Sequence, residues 1–268
     1  MSEAQTAEEV LYDVDGDIAT ITLNAPERLN TISGPMLDRL TKLLIKANED
    51  TDIRAVILTG NGRAFCAGLN LEQATSSNSG GGIGGSSAAS LDLRNTPPTV
   101  LHDMDKPVIC AINGGAAGYG MDMALGADIR IMGESSKISA AFTKRGVLPE
   151  SGGTWYLPRM IGWSKAAELV FTGRTLSAHE CVDYGLASRV VPDDQLQSEC
   201  RALAKEIAAN APLAVQATKR MMRMGLNEPF TEHVHHVYLQ LLPLFRSKDA
   251  KEGMMAFLEK RPPEFKGK

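Results

Sequence analysis

Aromatic residues are scarce in this chain, 5% of 268 positions, and no apolar run is long enough to span a bilayer. The second shortage argues against a membrane-spanning helix. Cysteine is sparse as well. Cys66, Cys110, Cys181 and Cys200 stand far apart and lack metal-site spacing. Neither a disulfide framework nor a thiolate metal centre is expected, and free thiols in a reducing cytoplasm are. An excess of one charge is also missing: 28 Lys and Arg face 32 Asp and Glu, a net charge of −4 spread along the chain. That argues against nucleic-acid binding and leaves room for a small basic site for an anionic ligand. The opening MSEAQTAEEV is polar and acidic, which is not a signal peptide, so the expected location is cytoplasmic.

What is present is 43% hydrophobic residues in a length that suits one large domain, or a domain with an appendage. Residues 1–8 read as a frayed tail. Val10 to Val14 and Ile18 to Leu23 flank an Asp-Gly turn, a hairpin pattern. Ser33 and Pro35 open a helix with Leu37, Leu40, Leu43, Leu44 and Ala47 on one face. Ala55 to Thr59 is a buried strand that turns at Gly60-Asn61-Gly62. The stretch TSSNSGGGIGGSSAAS at 75–90 is the one low-complexity segment, and a loop of this kind inside a compact chain is expected to line a binding site or to be a passive insertion. After Val191 the strand pattern ends, and helices are expected at 194–209, 212–225, 230–246 and 248–260.

The centre of the chain is VICAINGGAAGYGMDMAL at 108–125. An apolar β-branched run leads into a turn with Gly114, Gly115, Gly118 and Gly120, and a helical pattern follows. Such a turn aims backbone N–H groups, and the positive end of the helix dipole, at a ligand. It equally serves close packing of small residues. A dinucleotide fingerprint fits poorly, because Met123 stands where the third glycine belongs.

The chain resembles the enoyl-CoA hydratase/isomerase, or crotonase, superfamily. The resemblance is carried by NAPERLNTIS (24–33), AVILTGNGRAFCAGLNLEQ (55–73), KPVICAINGGAAGYGMDMALGADIRI (106–131), FTKRGVLPESGGTWYLPRMIG (142–162), ELVFTGRTLSAHECVDYGLASRVVP (168–192) and MMAFLEKRPPEF (254–265). It implies an α/β fold, a crotonase-like spiral of ββα units over residues 1–192, with a C-terminal helical trimerisation region over 193–268. It implies an acyl-CoA thioester substrate, no cofactor beyond the coenzyme A of the substrate, and a homotrimer or homohexamer. It also implies two backbone N–H donors for the thioester oxygen, which fall on Leu69 and Tyr119. Fixed donors aimed at a developing oxyanion stabilise the transition state more than the ground state.

For acid/base chemistry the resemblance offers three positions. Two hydratase glutamates fall on Asp122 and on Phe142, which cannot transfer a proton. A third position, used by double-bond isomerases, holds Glu150. In an apolar pocket its pKa is expected to rise toward neutrality. Both acids also sit where a first helical turn favours a carboxylate. Glu150 is the first choice and Asp122 the second. Coenzyme A is expected near Arg28, Leu29, Arg63, Ala67, Phe257 and Lys260. The leading reading is isomerisation of a 3-enoyl-CoA to a 2-enoyl-CoA with Glu150 as base. Alternatives are a 2-enoyl-CoA hydratase using Glu150 and Asp122, and a non-catalytic acyl-CoA-binding protein. His233 and His236 share a helix face, but no carboxylate or cysteine stands at metal spacing, so no metal is expected.

Overall fold

The computed structural model describes residues 9–70 and 96–268. The 75–90 segment and the tail at 1–8 lie outside them.

The hairpin forms as the Asp-Gly turn predicts. Strands β1 (Val10–Asp15) and β2 (Ile18–Leu23) pair antiparallel. They start a six-stranded sheet in the order β1, β2, β3 (Ala55–Gly60), β5 (Val108–Ile112), β7 (Ile129–Gly133) and β10 (Arg189–Val191), parallel beyond the hairpin. A second sheet of three-residue strands runs β4 (Ala64–Cys66), β6 (Gly115–Ala117), β8 (Lys137–Ser139) and β9 (Thr175–Ser177).

Both faces of the larger sheet are covered, which is why β3 and β5 are buried throughout rather than alternating. On one face Val56, Leu58, Cys110 and Met132 meet Met36, Leu40 and Leu44 of helix α1 (Gly34–Glu49) and Met121 and Leu125 of a helix described below. Helix α1 begins where the sequence pattern puts it: the Ser33 side chain accepts the Met36 N–H at 3.2 Å. Helix α2 (Pro97–Asp103) joins this layer through Val100 and Leu101. On the other face Ala55, Ile57, Ile109 and Ile131 pack against Leu196, Cys200 and Ala204.

Helix α3 (Tyr119–Gly126) follows β6 and is buried at every position. Then come α4 (Gly153–Ile161), α5 (Trp163–Thr172) and α6 (Ala178–Tyr184), the last with a full capping box between Ser177 and Glu180. Four helices end the chain: α7 (Leu196–Ala208), whose residues cover the sheet, α8 (Pro212–Gly225), α9 (Phe230–Phe245) and α10 (Lys248–Glu259). Helix α9 buries none of its residues. The four cysteines are free and buried. Burial pushes the thiols of Cys66, Cys181 and Cys200 up to about 12, so all three are inert packing groups at neutral pH. No helix among the described residues is long and apolar enough to cross a membrane.

Candidate active site

Two turns meet where β4 and β6 pair. Gly68 has φ +109°, and a Cβ there would come within 3.1 Å of the Ala117 carbonyl oxygen and 3.9 Å of the Tyr119 nitrogen. Gly120 lies closer still: a Cβ would stand 2.2 Å from the Cys66 carbonyl oxygen. Only glycine allows this backbone-to-backbone approach. Ile32 donates to the Gly68 carbonyl and accepts from the Asn70 N–H, so the Leu69 N–H between them faces away from Ile32. Tyr119 is the first residue of α3, and its N–H has no acceptor within the helix. The structure thus brings Leu69 and Tyr119 onto adjoining turns.

Asp122 sits on the same first turn of α3 and is fully buried. Its Oδ2 accepts the Ser151 N–H at 2.9 Å, while Oδ1 has no hydrogen-bond partner. The Gly153 backbone lies beside Oδ1, since a Cβ on that glycine would approach it to 2.3 Å. Burial raises the Asp122 carboxyl to about 7. The Ser151 and Gly153 N–H groups pull it down, and the nearby Glu150 carboxylate adds to the rise. Glu150 precedes α4 and is exposed, so the burial expected around it from sequence falls on Asp122 instead. Phe142 is buried in the main core.

The coenzyme-A candidates divide. The Ala67 N–H donates to the Leu29 carbonyl at 3.0 Å, joining two of them directly. Leu29 and Asn30 both adopt left-handed backbone. Asn30 holds this loop from inside: its Nδ2 donates to the Asn61 and Ala64 carbonyls, and its Oδ1 accepts the Ala25 N–H. Sequence reading missed it, although an asparagine between a loop and an N-cap was a signal. Arg63 is exposed on the turn beside these carbonyls. Arg28 is committed inward, with Glu9 at 2.9 Å and the Thr31 carbonyl at 3.2 Å. Phe257 and Lys260 stand apart, exposed at the end of α10, which packs on α9.

Also missed was Arg130, at the far end of α3. Its buried guanidinium donates to the carbonyls of Ala124, Leu125, Ala127 and Leu186. It satisfies the last turn of the helix that carries Tyr119 and Asp122. A cavity of about 620 Å³ opens at this same far end, lined by residues including His102, Trp155, Tyr156 and Met222. It is separated from the turns by the length of α3, about 12 Å for its eight residues. The histidine pair on α9 does meet a carboxylate, against the sequence expectation: Glu228 hydrogen-bonds His233 at 3.1 Å and His236 at 2.9 Å. Among the described residues no three such groups are arranged to hold a metal ion.

The enoyl-CoA hydratase/isomerase family model matches residues 13–268. A probable enoyl-CoA hydratase of Rhodobacter capsulatus is 35% identical, covering 97% of this chain and 98% of its own. The 1,2-epoxyphenylacetyl-CoA isomerase of Escherichia coli is 37% identical over 97% of this chain and 99% of its own. Among solved structures, an enoyl-CoA hydratase from Bacillus anthracis superposes with a TM-score of 0.89 at 34% identity, covering 97% of this chain and 100% of that one. With the family model over nearly the whole chain, relatives above 30% identity and a matching fold, the chain belongs to the enoyl-CoA hydratase/isomerase, or crotonase, superfamily and is an enzyme of that family.

Proposed function

We propose that the protein moves protons at the carbons next to a coenzyme-A thioester, through an enolate held by the Leu69 and Tyr119 N–H groups. Asp122 carries the finer reading. It is buried, has one oxygen without a partner, and titrates near neutrality on the turn that presents the Tyr119 N–H. Two carboxylates at one site favour addition of water to a 2-enoyl thioester. Asp122 takes the water proton, and Glu150, exposed and loaded with a proton from solvent, supplies the proton to C2. A base that titrates near the working pH suits this task. These steps are proton transfers and call for no further cofactor. Arg63 and the joined Leu29–Ala67 segment are the better placed of the coenzyme-A candidates within one protomer.

A second reading rests on Phe142. A buried phenylalanine at a hydratase glutamate position favours isomerisation of a 3-enoyl-CoA by Glu150 alone, moving a proton from C2 to C4. Incubation with 2-enoyl- and 3-enoyl-CoA esters separates the two. Loss of the conjugated thioester absorbance with formation of 3-hydroxyacyl-CoA is the expected result. Conversion of 3-enoyl to 2-enoyl ester without hydration supports the second reading, and binding without turnover leaves only an acyl-CoA-binding protein.

We also propose an oligomer built on the C-terminal helices, a trimer or hexamer. The support is the large apolar side chains they leave in solvent, among them Phe230, Leu239, Phe245, Phe257 and Leu258. Phe257 and Lys260, remote from the turns of their own protomer, would then serve a neighbour's ligand. Light scattering at micromolar concentration is expected to give three or six times the 28.8 kDa of the chain. A monomer removes this role for both residues.

A further inference from the structure

Tyr119 has a second polar group besides its backbone N–H. Its side chain is 6% exposed, and its hydroxyl is buried without a hydrogen-bond partner. Among the described residues, two of the three buried side-chain oxygens left without a partner are this hydroxyl and Asp122 Oδ1. The two residues are three apart on α3, and side chains at that spacing are neighbours on one helix face. Burial raises the pKa of this hydroxyl, and Glu150 and Asp122 add to the rise, which places it among the groups around the two turns. A folded protein seldom leaves one such atom unsatisfied, and two on one helix turn at a binding site suit a ligand atom that bonds both.

We propose that the Tyr119 hydroxyl and Asp122 Oδ1 together hold the water that adds to C3 of the 2-enoyl thioester, which makes Tyr119 a catalytic residue through its side chain as well as its backbone. The inference rests on the hydratase reading above. Tyr119 donates its O–H to the water oxygen, and the water donates one O–H to Asp122 Oδ1. The water oxygen forms its bond to C3 as that proton passes to Asp122. The C2–C3 π pair moves into the enolate, held at the thioester oxygen by the two N–H groups. C2 then takes a proton from Glu150, and solvent exchange returns both carboxyls to their starting states. One water has been added across the double bond. The tyrosine hydroxyl supplies the second contact that Phe142 cannot.

Tyr119→Phe tests this, because it removes one oxygen and keeps the backbone N–H. Its kcat for hydration of a short 2-enoyl-CoA is expected to fall by about tenfold to a hundredfold, with KM nearly unchanged. The thermal midpoint is expected to hold or rise, since the variant deletes an unpartnered polar atom and strands none. A hydroxyl with a merely structural role gives the opposite pair: a lower midpoint and unchanged kcat. Hydration by wild type with no change in Tyr119→Phe overturns the inference and leaves the hydratase reading intact. Wild type that hydrates no 2-enoyl-CoA overturns both. Combining Tyr119→Phe with Asp122→Asn adds a further check: two groups on one water are expected to be clearly non-additive, and fully additive losses count against a shared ligand.

Discussion

Asp122→Asn is expected to lower hydration by about a hundredfold to ten-thousandfold while making the folded protein more stable at alkaline pH. The rate loss follows from removing the base. Asparagine keeps an acceptor for the Ser151 N–H, so the local fold has no reason to change. The gain in stability follows from the raised pKa. The carboxyl titrates from 3.8 when free and near 7 in place, so between those values the native state holds more protons than the unfolded one. Stability therefore falls as pH rises across that window and stays low above it. Every pH unit that separates the folded from the unfolded titration is worth about 1.4 kcal/mol, which makes the cost at pH 8 several kcal/mol. Asparagine carries no such slope. Urea unfolding at pH 4 and pH 8 is expected to show the variant gaining on wild type only at the higher value. Equal slopes would mean that Asp122 is not held as a strained acid. In the same series Glu150→Gln separates the reactions. Two-carboxylate hydration makes both variants severe and non-additive, whereas isomerisation by one carboxylate makes Asp122→Asn mild beside Glu150→Gln.

Arg130→Met is expected to cost stability instead, about 3–5 kcal/mol. The guanidinium serves four backbone carbonyls that no water reaches, and methionine fills the space without replacing one donor. Arg130→Lys is expected to recover only part of the loss, because an ammonium lacks the planar fork that spans these oxygens. Thermal unfolding reads both, at about 2–4 °C per kcal/mol for a chain of this size. A change under about 1 kcal/mol for the methionine variant would falsify the view that Arg130 anchors α3.

Local chemistry was the legible part of this fold. Ser33 announces its helix because a cap is a contact between near neighbours, and the structure shows the bond. The Asp-Gly hairpin is local in the same sense. The second sheet was not legible. Gly115, Ala116 and Ala117 look like part of a glycine turn, since they lack β-branched side chains. They are a strand because Ala64 to Cys66 lies on one side of them and Lys137 to Ser139 on the other. The positions of Asp122 and Glu150 were readable by pattern, but their burial was not. It depends on how α3 meets the loop before α4, a contact across 29 residues of sequence. Arg130 carried a signal that went unused. A charged residue between Ile129 and Ile131 in a buried strand must find partners, and the carbonyls at a helix end are the usual ones.

The approach of Gly120 to the Cys66 carbonyl has an evolutionary consequence. It sets the spacing of the two turns by main chain alone, so mutation elsewhere leaves that spacing alone. The proposed acid and base groups, by contrast, are side chains on α3 and on the loop before α4. A lineage can exchange one of these without rebuilding the turns proposed to hold the thioester. Relatives at about one-third identity bear the names of a hydratase and of an isomerase acting on quite different acyl groups. In such a scaffold a change of reaction need not move the glycine contact.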